Sequence, residues 1–362
     1  MKHNLAKNVS IIITTYNRNN FIKLYLNFLD QNNFGGEIII GNASERNEYE
    51  ELNVYINELN YEFSIKNIHF PKKENNMSFS MNDCFIGGIK EAKRDYFILC
   101  CDDDLIIPKM LDYCEKILDS NNQINGVTGD HCWINRNYIE PPNQTRSILN
   151  KDPIERIQNF INKPYHSLFT LVRRSNVKKI APKNYRDINF NHFAADWSWI
   201  LSIIIKGRIK KINKPFLIKQ FHGENLHLKN KNHPFISYSE FKTKDYYQDD
   251  VKSFTDFIEE QIVETYAESN KIIPHEYVKE IQKFFTKYEN FRLNKNNENL
   301  LKIYINRFFY YLNKILKTKF TFTSVYQNIF GYKSIINIRK MSLYNEKKLE
   351  IEKLQKKFDI FV

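Results

Sequence analysis

Tyr96-Phe97-Ile98-Leu99-Cys100-Cys101 is a short apolar run that stops at three consecutive carboxylates, Asp102, Asp103 and Asp104. An apolar run of this length between polar residues reads as a strand buried on both faces, the kind that parallel sheets are built from. The charge then emerges at its carboxyl end, and in open α/β sheets that edge is where ligands bind. Side chains two apart on an extended chain point the same way, so Asp102 and Asp104 are expected to face one ligand while Asp103 turns aside. Hard divalent cations choose carboxylate oxygens, which makes Asp102 with Asp104 a candidate clamp for Mg²⁺ or Mn²⁺. A solvated turn capping the next helix would use the same residue type. The buried strand in front of the triplet favours the metal.

The same strand-then-polar pattern recurs upstream. Residues 9–13 are a β-branched run that breaks at the polar loop 14–20. A helix follows, with Phe21, Leu24, Tyr25 and Phe28 at helical spacing. Gly35 and Gly36 form a turn before a second strand, Ile38-Ile39-Ile40, which ends in Gly41-Asn42. A helix over 48–59, a strand near 65–70 and a helix over 81–93 bring the chain to the strand before Asp102. This alternation argues for a doubly wound, mostly parallel sheet. Three chain reversals, after the first strand, at Asn42 and at the triplet, then line one crevice. Neither the dinucleotide fingerprint nor the P-loop occurs in them.

The chain is long enough, at 362 residues, for one large or two ordinary domains. Its formal net charge of +12 suits anionic partners, although much of it is lysine spread through a sequence crowded with Asn and Ile. The five cysteines are odd in number and form no C-x-x-C pair, so neither a zinc site nor a disulfide framework is indicated, and a reducing cytosol fits. No apolar run approaches the roughly 20 residues that span a bilayer. A cytoplasmic protein, either free or peripheral on the inner face of the membrane, is expected.

Taken together, residues 9–18, 38–44 and 96–104 resemble the donor-nucleotide half of a GT-A glycosyltransferase, most closely glycosyltransferase family 2. Thr15-Tyr16-Asn17-Arg18 matches the family's T-x-N-R-like turn, and the Asp triplet matches its D-x-D. The residue that reads the base, usually Asp, falls at Asn42, which keeps an acceptor oxygen but loses the charge. The resemblance thus implies nucleotide-sugar contacts at Thr15, Tyr16, Asn17, Arg18, Asn42, Asp102 and Asp103.

The second half carries the resemblance further. Ala195-Asp196-Trp197 resembles the family's E-D segment, with Ala195 in place of Glu; a helix is expected to start at Asp196 and end at Gly207. Residues 208–218 resemble the next strand, and His222 falls where the family has R-x-H, with Gln220 replacing the Arg. The resemblance covers residues 8 to 225. It implies Asp196 as the base that deprotonates an acceptor hydroxyl, inversion at the anomeric carbon, and metal ligands Asp102, Asp104 and His222, with His227 competing for the third place. The donor would be a nucleoside-diphosphate sugar, a UDP-sugar favoured. The acceptor would be a glycan or lipid-linked hydroxyl in bacterial surface polysaccharide synthesis.

The expected architecture is a GT-A domain over residues 1–235, donor half 1–130 and acceptor half 131–235, followed by a mostly helical region over 236–362. Residues 133–163, with Pro141-Pro142 and mixed polarity, read as a loop-rich acceptor region. Helices are expected over 240–267, 274–291 and 300–316, and an apolar stripe at Ile351, Leu354 and Phe358. These would pack on the catalytic domain or on a second copy of the chain in a homo-oligomer, or lie on a membrane surface. Two other classes stay open. A sugar nucleotidyltransferase would carry a glycine-rich loop after the first strand, which residues 14–20 lack. A polyanion binder would rest on charge alone, and no nucleic-acid motif is present.

Overall fold

The computed structural model describes residues 4–71, 77–135, 138–140, 145–162, 169–177, 192–220 and 247–268. The alternating series is β1 (Val9–Thr15), α1 (Asn19–Gln31), β2 (Glu37–Asn42), α2 (Arg46–Asn57), β3 (Ser64–His69), α3 (Met77–Glu91) and β4 (Tyr96–Cys101). Strands β3, β2, β1 and β4 pair in that order, all parallel. Ile11, Ile12 and Ile13 of β1 and Ile38, Ile39 and Ile40 of β2 are fully buried, as a sheet covered on both faces requires. One cover is α1, which buries Ile22, Tyr25, Leu26 and Leu29 at helical spacing. Another is α3, seated closely because Gly41 has no side chain: a Cβ there would meet the Cys84 Cα at 2.8 Å.

Beyond β4 the sheet continues through β5 (Asp104–Ile106), α4 (Pro108–Ser120), β6 (Ile124–Asn135), β7 (Tyr138–Glu140), α5 (Pro153–Asn162), β8 (Leu171–Arg173), α6 (Arg174–Val177), α7 (His192–Lys206) and β9 (Arg208–Gln220). The full order is β3-β2-β1-β4-β8-β6-β9-β5, with β7 on β6. Strands β8 and β5 pair antiparallel with their neighbours, while β6 and β9 run parallel. Strand β5 follows β4 after only two residues yet pairs at the far side of the sheet with β9. The sheet therefore curls back on itself, and the turn carrying Asp102 and Asp103 joins its middle to its end.

Residues 133–163 are not simply loop. Strand β6 runs through Trp133, and Pro153 opens α5 with Asp152 as its cap, Oδ1 accepting from the Ile154 amide at 2.8 Å. A capping Asp followed by Pro and then Glu155 is a local helix start whose signal was present in the sequence. Arg156 of this helix reaches the end of α7, donating to the Ile204 and Ile205 carbonyls at 2.6 and 2.5 Å. Helix α7 begins at His192, four residues before Asp196, so Asp196 does not sit in the first turn as expected. Its other end is as expected: a Cβ on Gly207 would lie 2.4 Å from the Asn125 Cβ.

The expected helix over 240–267 is present as α8 (Tyr247–Glu268). It buries Phe257, Ile258, Ile262 and Tyr266. The Tyr266 hydroxyl donates to Asp152 at 2.5 Å, and Glu264 pairs with Lys206 of α7 at 3.2 Å, which sets α8 against the start of α5 and the end of α7. The helices expected over 274–316 and the stripe at Ile351, Leu354 and Phe358 lie outside the described residues. Among the described residues no helix is long and apolar enough to cross a membrane.

Candidate active site

The site is built at the carboxyl edge of β1 and β4, where the parallel pairing brings Thr15 and the Asp triplet together. The Thr15 hydroxyl donates to Asp102 Oδ2 at 2.8 Å. Arg18, which precedes α1, forks across two carboxylates: Nη1 lies 2.9 Å from Asp102 Oδ1 and Nη2 3.1 Å from Asp103 Oδ2. Its guanidinium also stacks over Phe21, 4.2 Å from the ring centroid. Burial alone would lower the Arg18 pKa, but the charges of Asp102 and Asp103 outweigh it and hold the group above its ordinary value. A guanidinium that spans two acceptors fixes the turn in a way a single ammonium could not.

Strand alternation does not govern the triplet, because Asp102 and Asp103 form the turn between β4 and β5. Asp102 is buried against Arg18 and Thr15. Asp103 and Asp104 instead gather with Cys101, their ligand atoms all within 4.8 Å of one another. Burial pushes the Asp102 and Asp104 carboxyls well above the usual range; Arg18 and Lys219 offset part of that, and the neighbouring Asp103 adds to it. Burial, reinforced by Asp104 and Asp103, also drives the Cys101 thiol far up. Hard divalent ions take carboxylate oxygens in preference to sulfur, so Asp103 and Asp104 suit Mg²⁺ or Mn²⁺ with waters and phosphate oxygens completing the shell.

Asp104 faces a residue from much later in the chain. The antiparallel pairing of β5 with β9 sets Asp104 opposite Lys219, and Nζ stands 3.4 Å from Asp104 Oδ2. The same ammonium lies 4.5 Å from the ring centroid of Phe169. Burial would lower the Lys219 pKa, but Asp104 reverses the sign and keeps it charged. Lys219, Phe169 and Cys101 were not identified from the sequence. The one available signal was a lone lysine closing the apolar stretch Phe216-Leu217-Ile218.

The loops after β1, β2 and β3 tie to one another beside this cluster. Asn17 takes a left-handed conformation, φ 49°, which Asn tolerates. Its amide donates to Ser44 Oγ at 2.7 Å, and its Oδ1 accepts from the Glu45 amide at 2.9 Å. The Tyr16 hydroxyl donates to Glu45 at 3.2 Å. Asn42 is fully buried: Oδ1 accepts from the Ser44 amide at 2.9 Å, and Nδ2 donates to Asn67 at 3.3 Å. His69 stacks on Tyr49 and reaches the Ser44 carbonyl at 2.9 Å.

Thr15, Tyr16, Asn17, Arg18, Asn42, Asp102, Asp103 and Asp104 thus come to one edge. The backbone of Asp196 lies in α7, and its side chain, like that of Trp197, lies outside the described residues; Trp199 is buried in the core. His222 and His227 also lie outside the described residues.

Residues 10–181 match the family described as Glycosyl transferase family 2. Among solved structures, S. aureus TarS is similar at a TM-score of 0.42 and 15% identity, covering 71% of this chain and 43% of that one. The chain therefore spans less than half of that TarS chain. S. aureus TarS 1–349 in complex with UDP-GlcNAc gives a TM-score of 0.46 at 15% identity, covering 77% and 81% of the two chains. No curated protein sequence matches the chain.

Proposed function

We propose that the chain is a family 2-like glycosyltransferase of the GT-A fold, a reading supported by the match of residues 10–181 to that family, and that it moves a sugar from a nucleoside-diphosphate donor, a UDP-sugar favoured, to a hydroxyl of a glycan or lipid-linked acceptor. The setting would be bacterial surface polysaccharide synthesis at the cytoplasmic face. The observation that carries this reading is the convergence of Arg18, Asp103, Asp104 and Lys219 at the edge where β4 turns into β5. That edge combines cationic groups for an anionic donor with hard oxygen donors for a divalent ion.

Asp103 and Asp104, with His222 as the third candidate, would hold Mn²⁺ or Mg²⁺. The bound ion would supply positive charge against the departing diphosphate. Arg18 is pinned by Asp102 and Asp103, so its charge is preorganised and needs no rearrangement as the leaving group forms. Thr15 and Asp102 hold the end of β1 against the turn, which fixes the floor on which the nucleotide rests. Asp196 is the residue assigned to take the acceptor proton as the hydroxyl attacks the anomeric carbon, with inversion.

The test is thermal stability of the purified chain against a panel of nucleotide sugars, with and without Mn²⁺. A ligand that binds only the folded state raises the melting temperature by mass action. A shift is expected with sugars of one base, UDP first, requiring Mn²⁺ and absent in Asp104→Asn. No shift with any nucleotide sugar would remove the reading. Asp196→Asn should keep the shift and lose turnover by roughly 10²–10⁴-fold, the usual share of a general base.

A further inference from the structure

The inference concerns Lys219 and rests on the reading of Asp103 and Asp104 as cation ligands. Lys219 stands across the β5–β9 ladder from Asp104, its Nζ 3.4 Å from Oδ2 of the carboxylate that a metal would share with Asp103. Both side chains are well shielded, 16% exposed for Lys219 and 7% for Asp104. A charge pair this far from solvent is screened little by salt and interacts more strongly than a surface pair. The ammonium also rests 4.5 Å from the Phe169 ring, a second electron-rich surface that keeps it in the crevice.

We propose that Lys219 is a resident cation of the donor site, a positioning residue that holds Asp104 in place of a divalent ion and yields it when the metal enters. Ammonium and metal compete for one carboxylate. Asp104 Oδ2 already interacts with a positive group, and an ion entering at that oxygen must displace the ammonium or share the carboxylate with it at a repulsive distance. In either case part of the metal's binding free energy is lost, so the metal-free protein should bind the ion weakly. The displaced ammonium, tethered to β9 at this edge, is placed to pair with an anion that enters with the metal, and the diphosphate of the donor is one. Metal and donor are thereby coupled: each makes room or supplies charge for the other. Without Lys219 the ion would bind the empty protein more tightly and depend less on the donor.

The experiment is a titration of the full chain with Mn²⁺ alone, followed through the electron paramagnetic resonance signal of the free ion, so that no turnover is involved. Lys219→Met should bind Mn²⁺ more tightly than wild type by on the order of tenfold, since a like charge is removed beside the ligand. Lys219→Arg keeps the charge and should not tighten binding. UDP measured at saturating Mn²⁺ should bind severalfold more weakly to Lys219→Met. Lys219→Gln, which preserves a hydrogen-bond donor toward Asp104, serves if the methionine variant does not fold. Equal or weaker Mn²⁺ binding in the folded neutral variants overturns the role of Lys219 while leaving the metal site standing. Mn²⁺ binding unaffected by Asp104→Asn overturns the metal-site reading itself, and the Lys219 proposal with it.

Discussion

Arg18 shows what a single side chain contributes to this edge. Its two Nη atoms reach carboxylates of adjacent residues at 2.9 and 3.1 Å, and its flat face covers Phe21. Removing one partner of a buried ion pair leaves the other charge uncompensated, at a cost of about 3–5 kcal/mol. Arg18→Met should therefore lower the unfolding free energy by that order in urea melts at neutral pH. A loss of a few tenths would mean that the pair is effectively a surface contact. Arg18 and the triplet were legible because both lie at local breaks between an apolar strand and polar residues. Lys219 was not, because its partner sits 115 residues earlier and only the β5–β9 register brings them together. Asn42 was correctly placed at the end of β2, but no local pattern reveals that its amide is tied inward to Ser44 and Asn67.

At the scale of elements, α4 shows how a helix on a buried face handles a charge. Glu115 is nearly buried, and its Oε1 accepts from Asn8 at 2.7 Å. Burial raises its pKa; the Asn8 bond lowers it in part, and Asp119 and Asp112 on the same helix raise it further. With the folded pKa above the unfolded one, the native state holds this proton more tightly. The ionised form's penalty is then fully present above the folded pKa and disappears as the pH falls through it. Glu115→Gln keeps the acceptor for Asn8 and removes the charge. It should melt higher than wild type at neutral pH, and the difference should close as the pH approaches the ordinary glutamate value of about 4.3. A difference independent of pH would attribute the effect to packing instead. The helices of the first half were legible from their 3.6-residue spacing, and α5 only from its Asp-Pro start, because its neighbours in sequence are polar and proline-rich. Strands β5 and β8, three residues each, are too short to carry a period.

On the scale of the whole molecule, the expected halves 1–130 and 131–235 meet inside one sheet rather than across a linker. The boundary falls within β6, which pairs with β9 along nearly its full length, while β5 of the first half finds its partner only in β9 of the second. Leu105 and Ile106 of β5 and Phe216, Leu217 and Ile218 of β9 are all fully buried, so separating the halves would expose the core of both. The parallel half was readable because its alternation is local. The antiparallel continuation was not, because pairing between distant strands leaves no trace in either strand alone. Such a shared sheet should open as one cooperative unit. Native-state hydrogen exchange of the full chain is expected to give the slowest amides of β1 and β9 the same opening free energy, and destabilisation by Arg18→Met should lower both equally. If β9 opened at a clearly lower free energy than β1, the acceptor side would be a separate folding unit. Lys219 would then reach Asp104 only while that unit is closed, and the hold of the ammonium on the metal site would weaken along with the stability of β9.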